Sequence, residues 1–421
     1  MQQPATPILL RARWVVPVTA PPIRDGAVLV HGERIAAVGS AQELLTRAPP
    51  QVQRMEFADG IVVAGLVNPH THLENTHFAD AINCQQPFDA WIAQMRMLVS
   101  AQSFDEAVAA ARDGANKLLR YGVTCVGDSS FHGATLIALK EVGLRGIVFK
   151  EFICPTDDIL DDRWTAFAAW LDNAPTDERV QVGIMVHAPY TVTPSAYRRA
   201  LTLAMKRRLP FSTHVAEAPA ERALIERRTG KWAQLPIAMA LRDVPIGLSP
   251  IRYLNWLGVF RHDRLLLVHC VQVDDADIAL LAVRPVWVVH CPRSNANLQV
   301  GTMPLQKMLA AGVKVCLATD GLASAESLNP LDEVRFARRQ AHRDASFSPP
   351  LSADRWLRMV TLDAAAALGL DNAIGALKVG KQADIAVFPS GDTRDPLETL
   401  LGEATEAIAT MVAGRFVWLA K

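Results

Sequence analysis

Histidines and carboxylates follow several apolar runs of this sequence, and their types suit metal-assisted hydrolysis. His70 and His72 flank a single threonine. Side chains two residues apart on an extended segment share one face, so both imidazoles can reach the same ion. Three neutral imidazoles and one carboxylate, with a position left for water, match the open coordination shell of catalytic zinc or of another divalent transition metal. Such an ion lowers the pKa of its bound water toward about 7 and generates hydroxide at neutral pH.

Later runs also end in residues of these types. Their terminal polar residues are Glu151, His187, His214, His269, His290 and Asp320. Each signal has an ordinary structural alternative when it stands alone. Glu217, three residues after His214, suits the start of a helix, where the dipole stabilises a carboxylate. Asp320 precedes a glycine and suits a turn, so only the combination indicates a metal site.

Eight apolar runs, separated by helical segments, must position these side chains. The runs cover residues 61–70, 122–130, 145–153, 180–189, 210–217, 264–270, 285–291 and 313–320. Nearly continuous apolar runs are typical of parallel strands covered on both faces. Helix starts are indicated by a capping box at Ser103 and Glu106, by Thr193 before a proline, and by Asp274. Eight strand–helix units predict an α/β fold of the (β/α)8 TIM-barrel type, with its chemistry at the carboxyl ends of the strands. A doubly wound sheet is the alternative, but it does not easily use eight successive units.

Both ends of the chain are rich in short strands. The alternating patterns before residue 62 and after residue 375 need partners to bury their apolar faces. We therefore expect a small β-sandwich domain built from residues 1–62 with 375–421, and a catalytic barrel over residues 63–374.

Composition limits the partners. The 421 residues include 43 Lys and Arg against 43 Asp and Glu, and half of all residues are hydrophobic. This balance excludes a disordered chain and favours a small-molecule ligand over nucleic acid or a membrane. Six scattered cysteines without a C-x-x-C pair predict buried, reduced thiols. No signal peptide or membrane span is evident, which predicts a cytoplasmic protein and leaves a homo-oligomer open.

Five motifs in order resemble those of the metal-dependent amidohydrolase superfamily. They are GLVNPHTHLE at residues 65–74, THVAE, LVHC, HCPRSN and ATDGLAS. The resemblance lies within the aminohydrolases that deaminate adenine-like, guanine-like, pyrimidine and triazine rings, and both chain ends resemble that family's small β domain. It implies one divalent metal ion, zinc foremost and iron or manganese as alternatives, held by His70, His72, His214 and Asp320. Some relatives hold two metals through a lysine on the fourth strand, but that strand ends here in His187.

The resemblance also implies roles for further residues. Glu217 would be the proton shuttle, His269 would lie beside the bound hydroxide, and Asp320 would be both ligand and base. Substrate contacts are implied for His187, Glu151, His290, Arg293, Ser294 and Asn295. Two positions depart from the family pattern, namely Pro69 before the first ligand and Gly321 after Asp320.

Within the branch, the motifs are similar to those of aminodeoxyfutalosine deaminases of the futalosine route to menaquinone. This implies deamination of an adenine-type nucleoside without phosphate. The alternatives are deamination of S-adenosylhomocysteine, methylthioadenosine, guanine, a pterin or another ring, and hydrolysis of an amide, urea or chlorotriazine on the same site. A non-catalytic barrel is disfavoured because all four ligands and Glu217 are present. Phe88 and Trp91 have a spacing that suits the core face of a helix or stacking on a purine.

Overall fold

The strands form two sheets in the computed structural model, which describes residues 6–344, 348–402 and 406–420. In chain order the strands are β1 (Ile8–Val16), β2 (Ile23–His31), β3 (Arg34–Ser40), β4 (Gln53–Ala64), β5 (Leu66–Thr71), β6 (Val123–Ser130), β7 (Arg145–Phe152), β8 (Val180–Val186), β9 (Phe211–Val215), β10 (Leu265–His269), β11 (Val286–His290), β12 (Lys314–Leu317), β13 (Ile385–Pro389), β14 (Ala409–Val412) and β15 (Arg415–Leu419).

Helices connect the strands and cover the larger sheet. The α-helices are α1 (Ala41–Arg47), α2 (Phe88–Ala101), α3 (Phe104–Arg120), α4 (Thr135–Val142), α5 (Leu160–Asn173), α6 (Pro194–Arg207), α7 (Pro219–Arg222), α8 (Ile237–Ala240), α9 (Pro250–Leu257), α10 (Asp275–Ala282), α11 (Pro292–Asn297), α12 (Leu305–Ala310), α13 (Pro330–Arg343), α14 (Ala353–Arg358), α15 (Leu362–Ala367) and α16 (Pro396–Gly402). Short 3-10 turns cover Leu73–Asp80, Asp157–Ile159, Lys231–Gln234 and Val259–Arg261, and one π turn covers Ala223–Arg227.

The eight strands β5 to β12 are parallel and lie in the order in which they occur along the chain. The last strand returns to the first, where the Asn68 side chain donates to Thr319 Oγ1 at 2.7 Å and accepts from the Thr319 amide at 3.2 Å. The amide of Asp320 also donates to the carbonyl of His70 at 3.2 Å. This nearly closed ring, with helices outside it, confirms the predicted (β/α)8 barrel.

Local sequence signals explain where the helices begin. Ser103 and Glu106 form the predicted capping box of α3, and Thr193 caps α6 with Pro194 in its first turn. Asp274 caps α10 and accepts from the amide of Asp277. Each cap satisfies amide groups that have no partner inside the helix, which fixes the end of the helix relative to the preceding strand.

The chain ends build the second sheet, as predicted. Its order is β15-β14-β13-β4-β1-β2-β3, so strands from both termini lie side by side. The predicted first barrel run is divided between the sheets, because β4 ends at Ala64 and β5 begins at Leu66. A buried ion pair joins the two parts, with Arg145 Nε of β7 at 2.8 Å from Asp384 Oδ2.

Apolar side chains fill the space inside the barrel and between its strands and helices. The six cysteines are free thiols, as predicted, and five of them are buried, whereas Cys84 is only half-buried. None of the helices in the described ranges combines the length and apolar composition needed to cross a membrane.

Candidate active site

Three histidines and one aspartate converge at the carboxyl ends of β5, β9 and β12. Their ring nitrogens and carboxylate face one another, with Asp320 Oδ1 at 3.5 Å from His70 Nε2 and 3.4 Å from His72 Nε2. His214 Nε2 lies 3.2 Å from His70 Nε2. These are the four predicted metal ligands, and the three imidazole nitrogens lie within 4.8 Å of one another.

The hydrogen bonds of His214 fix which of its nitrogens is free to bind a metal. Its Nδ1 lies 3.0 Å from the carbonyl of His187 and can only donate there. In the neutral ring, Nε2 therefore carries a lone pair, which faces the other imidazoles. Burial and the neighbouring imidazoles lower the pKa of His214 well below its usual value. A neutral lone pair among buried imidazoles and a carboxylate is the donor set that a divalent cation fits.

Asp320 presents only one of its oxygens to the imidazoles. Its other oxygen, Oδ2, accepts hydrogen bonds from Ser294 Oγ at 2.7 Å and from Ser324 Oγ at 2.9 Å. The two hydroxyls hold the carboxylate so that Oδ1 alone points at the ligand cluster. Ser294 was expected to contact substrate, but its hydroxyl lies on this carboxylate and its side chain does not line the cavity.

The loop that carries the first two ligands is held by a buried carboxylate on the neighbouring strand. Asp128 Oδ1 accepts from Thr71 Oγ1 and from the Leu73 amide, each at 2.7 Å. Burial raises the pKa of Asp128 to about 7. Asp128 thus fixes the residue between His70 and His72, a function that the sequence did not reveal.

Glu217 lies beside the ligand cluster without belonging to it. Its Oε1 is 3.5 Å from His269 Nε2, and both side chains are buried. Burial, with further contributions from Asp320 and Glu221, raises the pKa of Glu217 well above its usual value. A carboxyl group whose pKa is raised by burial holds its proton more tightly than an exposed one, which suits it to act as a general acid.

His269 is oriented by the residues after β11. Its Nδ1 lies 2.9 Å from Asn295 Oδ1, and Asn295 Nδ2 lies 3.4 Å from His290 Nδ1. With the amide oxygen facing His269, that imidazole donates from Nδ1 and directs its Nε2 lone pair toward Glu217. Burial lowers the pKa of His269 to about 4 and that of His290 to about 3, so both rings are neutral at pH 7.

The backbone around the cluster contains several residues with positive φ. These are Ala216 at 52°, His269 at 75°, Cys270 at 49° and Asp320 at 59°. Non-glycine residues rarely adopt this region, and such strain concentrates at functional sites. Here it lies at the turns that leave β9, β10 and β12 and aim their terminal side chains inward.

A cavity of about 540 Å³ opens above the cluster. This volume is in the range of small-molecule sites. His72, His214, Glu217, His269 and Asp320 lie on its wall. The cavity is therefore continuous with the metal-ligand cluster and gives a substrate access to it.

Aromatic rings form one side of this cavity. The Trp232 ring centroid is 4.6 Å from that of Tyr190 and 5.9 Å from that of Phe88, and Trp91 lies 5.7 Å from Phe88. Trp91 Nε1 donates to the Ala323 carbonyl at 2.7 Å. Phe88 and Trp91 therefore pack within the fold and also line the cavity. The expected packing is confirmed, and stacking of these rings on a purine stays a prediction.

The cavity wall includes two of the six predicted substrate contacts. Glu151 and His187 line it, with His187 Nε2 at 4.0 Å from Glu151 Oε1. Burial, with a contribution from His72, lowers the pKa of His187 to about 3. His187 Nδ1 is held at 2.6 Å from Thr191 Oγ1, which leaves its Nε2 side available to a ligand.

The other four predicted contacts lie behind the wall. Arg293 donates to Glu333 Oε1 at 2.7 Å and to the Ser327 carbonyl at 2.6 Å. Together with the partners of Ser294, Asn295 and His290 described above, these bonds occupy the polar atoms of the segment. Their environment favours support of the catalytic side chains over contact with substrate.

Of the two departures from the family pattern, Gly321 has a local consequence. A Cβ atom at Gly321 would lie 3.2 Å from His72 Cβ, so a larger residue there would press on a metal ligand. At Pro69 the close contact involves the backbone, since its carbonyl would lie 2.4 Å from a Cβ at Gly127, and any residue at position 69 would make it.

Comparison with known proteins places the chain in the amidohydrolase family. The model of the amidohydrolase family matches residues 61–417, and that of a bacterial imidazolonepropionase-like composite domain matches residues 26–50. A 5-methylthioadenosine/S-adenosylhomocysteine deaminase of Symbiobacterium thermophilum is 30% identical over 98% of this chain and 93% of its own length. An aminodeoxyfutalosine deaminase of Deinococcus radiodurans is 35% identical over 75% of this chain and 76% of its own length.

A solved structure also matches almost completely. The zinc-bound crystal structure of an adenosine deaminase from Xanthomonas campestris superposes with a TM-score of 0.83 at 28% identity. The match covers 97% of this chain and 92% of that chain.

Proposed function

The chain belongs to the amidohydrolase family and is a hydrolase of carbon–nitrogen bonds in cyclic amidines, and on this premise we propose that it deaminates an adenine nucleoside. The observation that carries the proposal is a buried carboxyl group, Glu217, beside a cluster of buried histidines that could hold a metal, with both facing one aromatic-walled cavity. Deamination of an amidine-like ring carbon needs a water nucleophile, a proton on the adjacent ring nitrogen and a proton for the departing ammonia.

Four side chains would hold the metal ion, namely His70, His72, His214 and Asp320. Zinc is our first choice, and when bound such an ion makes water a competent nucleophile at neutral pH. Asp320 Oδ1 accepts a proton from the attacking water, while Oδ2 keeps its two hydroxyl partners. Glu217 donates its proton to ring nitrogen N1 as water adds to C6. As the C6–N bond breaks, the proton taken up by Asp320 goes to the departing amine, and the C6 hydroxyl returns a proton to Glu217. The neutral His269, 3.5 Å from Glu217, accepts a hydrogen bond from the Glu217 carboxyl group and so orients it. The net reaction consumes water and releases ammonia and the hypoxanthine counterpart.

The remaining cavity residues suit the rest of a nucleoside. Glu151 and His187 lie together on the wall and offer an acceptor and a neutral imidazole to the base or the sugar hydroxyls. The aromatic side of the cavity offers apolar area to a group attached at the 5′ position.

We place aminodeoxyfutalosine first among the substrates. The exposed residues Arg96 and Arg163 also line the cavity, and neither has an ion-pair partner among the described residues. A 5′ substituent that is aromatic and carries a carboxylate would use both the aromatic rings and these guanidinium groups. S-adenosylhomocysteine is the second candidate, because its amino-acid tail also ends in a carboxylate and the full-length relative described above is named for it.

A substrate panel tests the proposal. We expect the purified protein to release ammonia from aminodeoxyfutalosine with a higher kcat/KM than from S-adenosylhomocysteine, methylthioadenosine or adenosine. Conversion of the adenine spectrum to that of hypoxanthine reports the same reaction. If guanine, a pterin or a triazine is hydrolysed at least a hundredfold faster, a difference of about 2.7 kcal/mol, the adenine assignment is wrong and the deaminase mechanism remains.

The proposed acid is tested by substitution. We expect Glu217→Gln to retain the metal and to lose about two to four orders of magnitude in deamination, the usual contribution of a positioned acid–base group. Glu178→Gln removes an exposed carboxylate away from the cavity and is the matched control. If Glu217→Gln turns over as fast as the wild type, Glu217 is not the general acid.

A further inference from the structure

Glu221 is fully buried and has no cationic partner among the described residues. It lies on α7, the short helix that directly follows the turn carrying Glu217. Buried carboxylates normally pair with a cation or accept several hydrogen bonds. The contacts of Glu221 therefore indicate why the chain keeps a carboxyl group at this position.

Both carboxylate oxygens of Glu221 accept backbone hydrogen bonds from the turn. Oε1 accepts from the amide of Ala216 at 3.0 Å, and Oε2 accepts from the amide of Glu217 at 2.9 Å. Ala216 has φ 52°, in the left-handed region. Successive amides around such a residue point to the same side and form a concave anion-binding group. Here the chain fills that group with its own side chain.

The opposite edge of the same turn is tied to the segment that carries His269. The amide of Cys270 donates to the Val215 carbonyl at 3.1 Å, and the amide of Gln272 donates to the Ala216 carbonyl at 2.7 Å. The carbonyls of the turn are therefore held by the segment that follows β10, and its amides are held by Glu221. Releasing the amides would free one edge of a strained turn and change the direction of the Glu217 side chain.

We propose that Glu221 is the positioning residue of Glu217, holding the left-handed turn at Ala216 so that the Glu217 carboxyl group faces the reacting ring. This inference rests on the proposed role of Glu217 in deamination. The side chain at position 221 must offer two acceptor atoms, because the two groups that face it, the amides of Ala216 and Glu217, are both donors. Glutamine has the same shape but offers one oxygen and one amino group, and the amino group would oppose a backbone amide.

The test compares Glu221→Gln with the wild type in metal content, thermal unfolding, kcat and KM. We expect one equivalent of metal and an unfolding midpoint near that of the wild type, because His214 is held separately by the His187 carbonyl. We expect kcat to fall at least tenfold with KM changed less than threefold, since no residue of the cavity wall is altered. Glu226→Gln is the matched control, because that carboxylate pairs with Arg222 and Arg227 and lies outside the cavity wall. It should keep wild-type kcat.

Two double variants separate positioning from a general structural role. Glu217→Gln combined with Glu221→Gln should be no slower than Glu217→Gln alone, because Glu221 acts through Glu217. Ala216→Gly combined with Glu221→Gln should recover at least threefold in kcat, because glycine adopts positive φ without a Cβ penalty.

Several outcomes would overturn the inference. A Glu221→Gln variant within threefold of wild-type kcat, or one that loses the fold or the metal, would show that Glu221 does not position the acid. Multiplicative losses in the first double variant, or no recovery in the second, would also refute it. If Glu217→Gln itself is fully active, the proposed role of Glu217 fails instead.

Discussion

Removing one hydroxyl from Asp320 should weaken metal binding by a calculable amount. In Ser294→Ala the hydrogen bond at 2.7 Å to Asp320 Oδ2 is lost, while the bond from Ser324 at 2.9 Å remains. A hydrogen bond to a charged, buried group contributes about 1.5–3 kcal/mol. Since about 1.4 kcal/mol corresponds to a factor of ten, complete loss of that contribution would weaken binding by roughly ten- to hundredfold.

The lower end of that range is expected because Ser324 still holds the same oxygen. The carboxylate then keeps part of its orientation, and Oδ1 remains directed at His70 and His72. We therefore expect the dissociation constant for zinc to rise about tenfold, in line with the usual cost of losing a partner of a metal ligand.

Competition with a chromophoric chelator measures this dissociation constant directly, without relying on activity. Ser195→Ala is the matched control, since it removes an exposed serine that bonds to Asp157 at 3.3 Å, away from the cluster. A Ser294→Ala affinity within twofold of the wild type would mean that the hydroxyl does not orient Asp320, and the reasoning would be refuted.

Three other changes probe the ligand cluster, a buried carboxylate and the cavity wall. We expect the wild type to bind one equivalent of metal and His214→Ala to lose most of it, as measured by elemental analysis; near-stoichiometric metal in the variant would contradict the ligand assignment. Burial raises the pKa of Asp128 to about 7, so its contribution to stability is complete below the unfolded pKa near 3.8 and is lost as pH rises to about 7. The unfolding midpoint of Asp128→Asn should therefore rise relative to that of the wild type between pH 5 and 7. Above pH 7 the difference between the two midpoints should stay constant. A difference that does not change with pH at all would argue against the raised pKa. Trp232→Ala should raise KM for the best nucleoside about five- to thirtyfold, for a stacking loss of about 1–2 kcal/mol, with little change in kcat; an equal loss in kcat would place this ring at the reacting base.

The barrel and the gathering of histidines and Asp320 at its mouth were predictable because their signals are local and repeated. Eight apolar runs and their terminal polar residues gave the strand order, and parallel strands in a barrel bring their ends to one mouth. His70 and His72 were also predictable as a pair, since alternation along a strand fixes their common face. The capping residues Ser103, Thr193 and Asp274 marked helix starts for the same reason.

Residues that act through a second side chain were not predictable in this way. Asp128 and Ser324 act on Thr71 and Asp320 through contacts that depend on which strands become neighbours. Glu221 accepts hydrogen bonds from backbone amides in the turn at Ala216. The left-handed conformation of this turn cannot be predicted from its residue types, since alanine rarely adopts it. The motif HCPRSN was read as substrate contacts because it lies at the mouth, whereas the direction of its side chains depends on packing against α13.

The join between β5 and β12 links the chemistry of the site to the integrity of the barrel. We call this join the seam: His70 and His72, at the end of β5, lie on one side of it, and Asp320 follows β12 on the other. Hydrogen bonds between Asn68 and Thr319 bridge it directly. A single ion shared by those three ligands would fasten the first strand to the last, so part of its binding free energy would oppose separation of the strands. Chelation should then accelerate amide hydrogen exchange in these two strands before β7 and β8, which are separated from the seam by other strands and carry none of the predicted ligands. A cell short of metal would hold a protein that is both inactive and easier for proteases to open at one defined place.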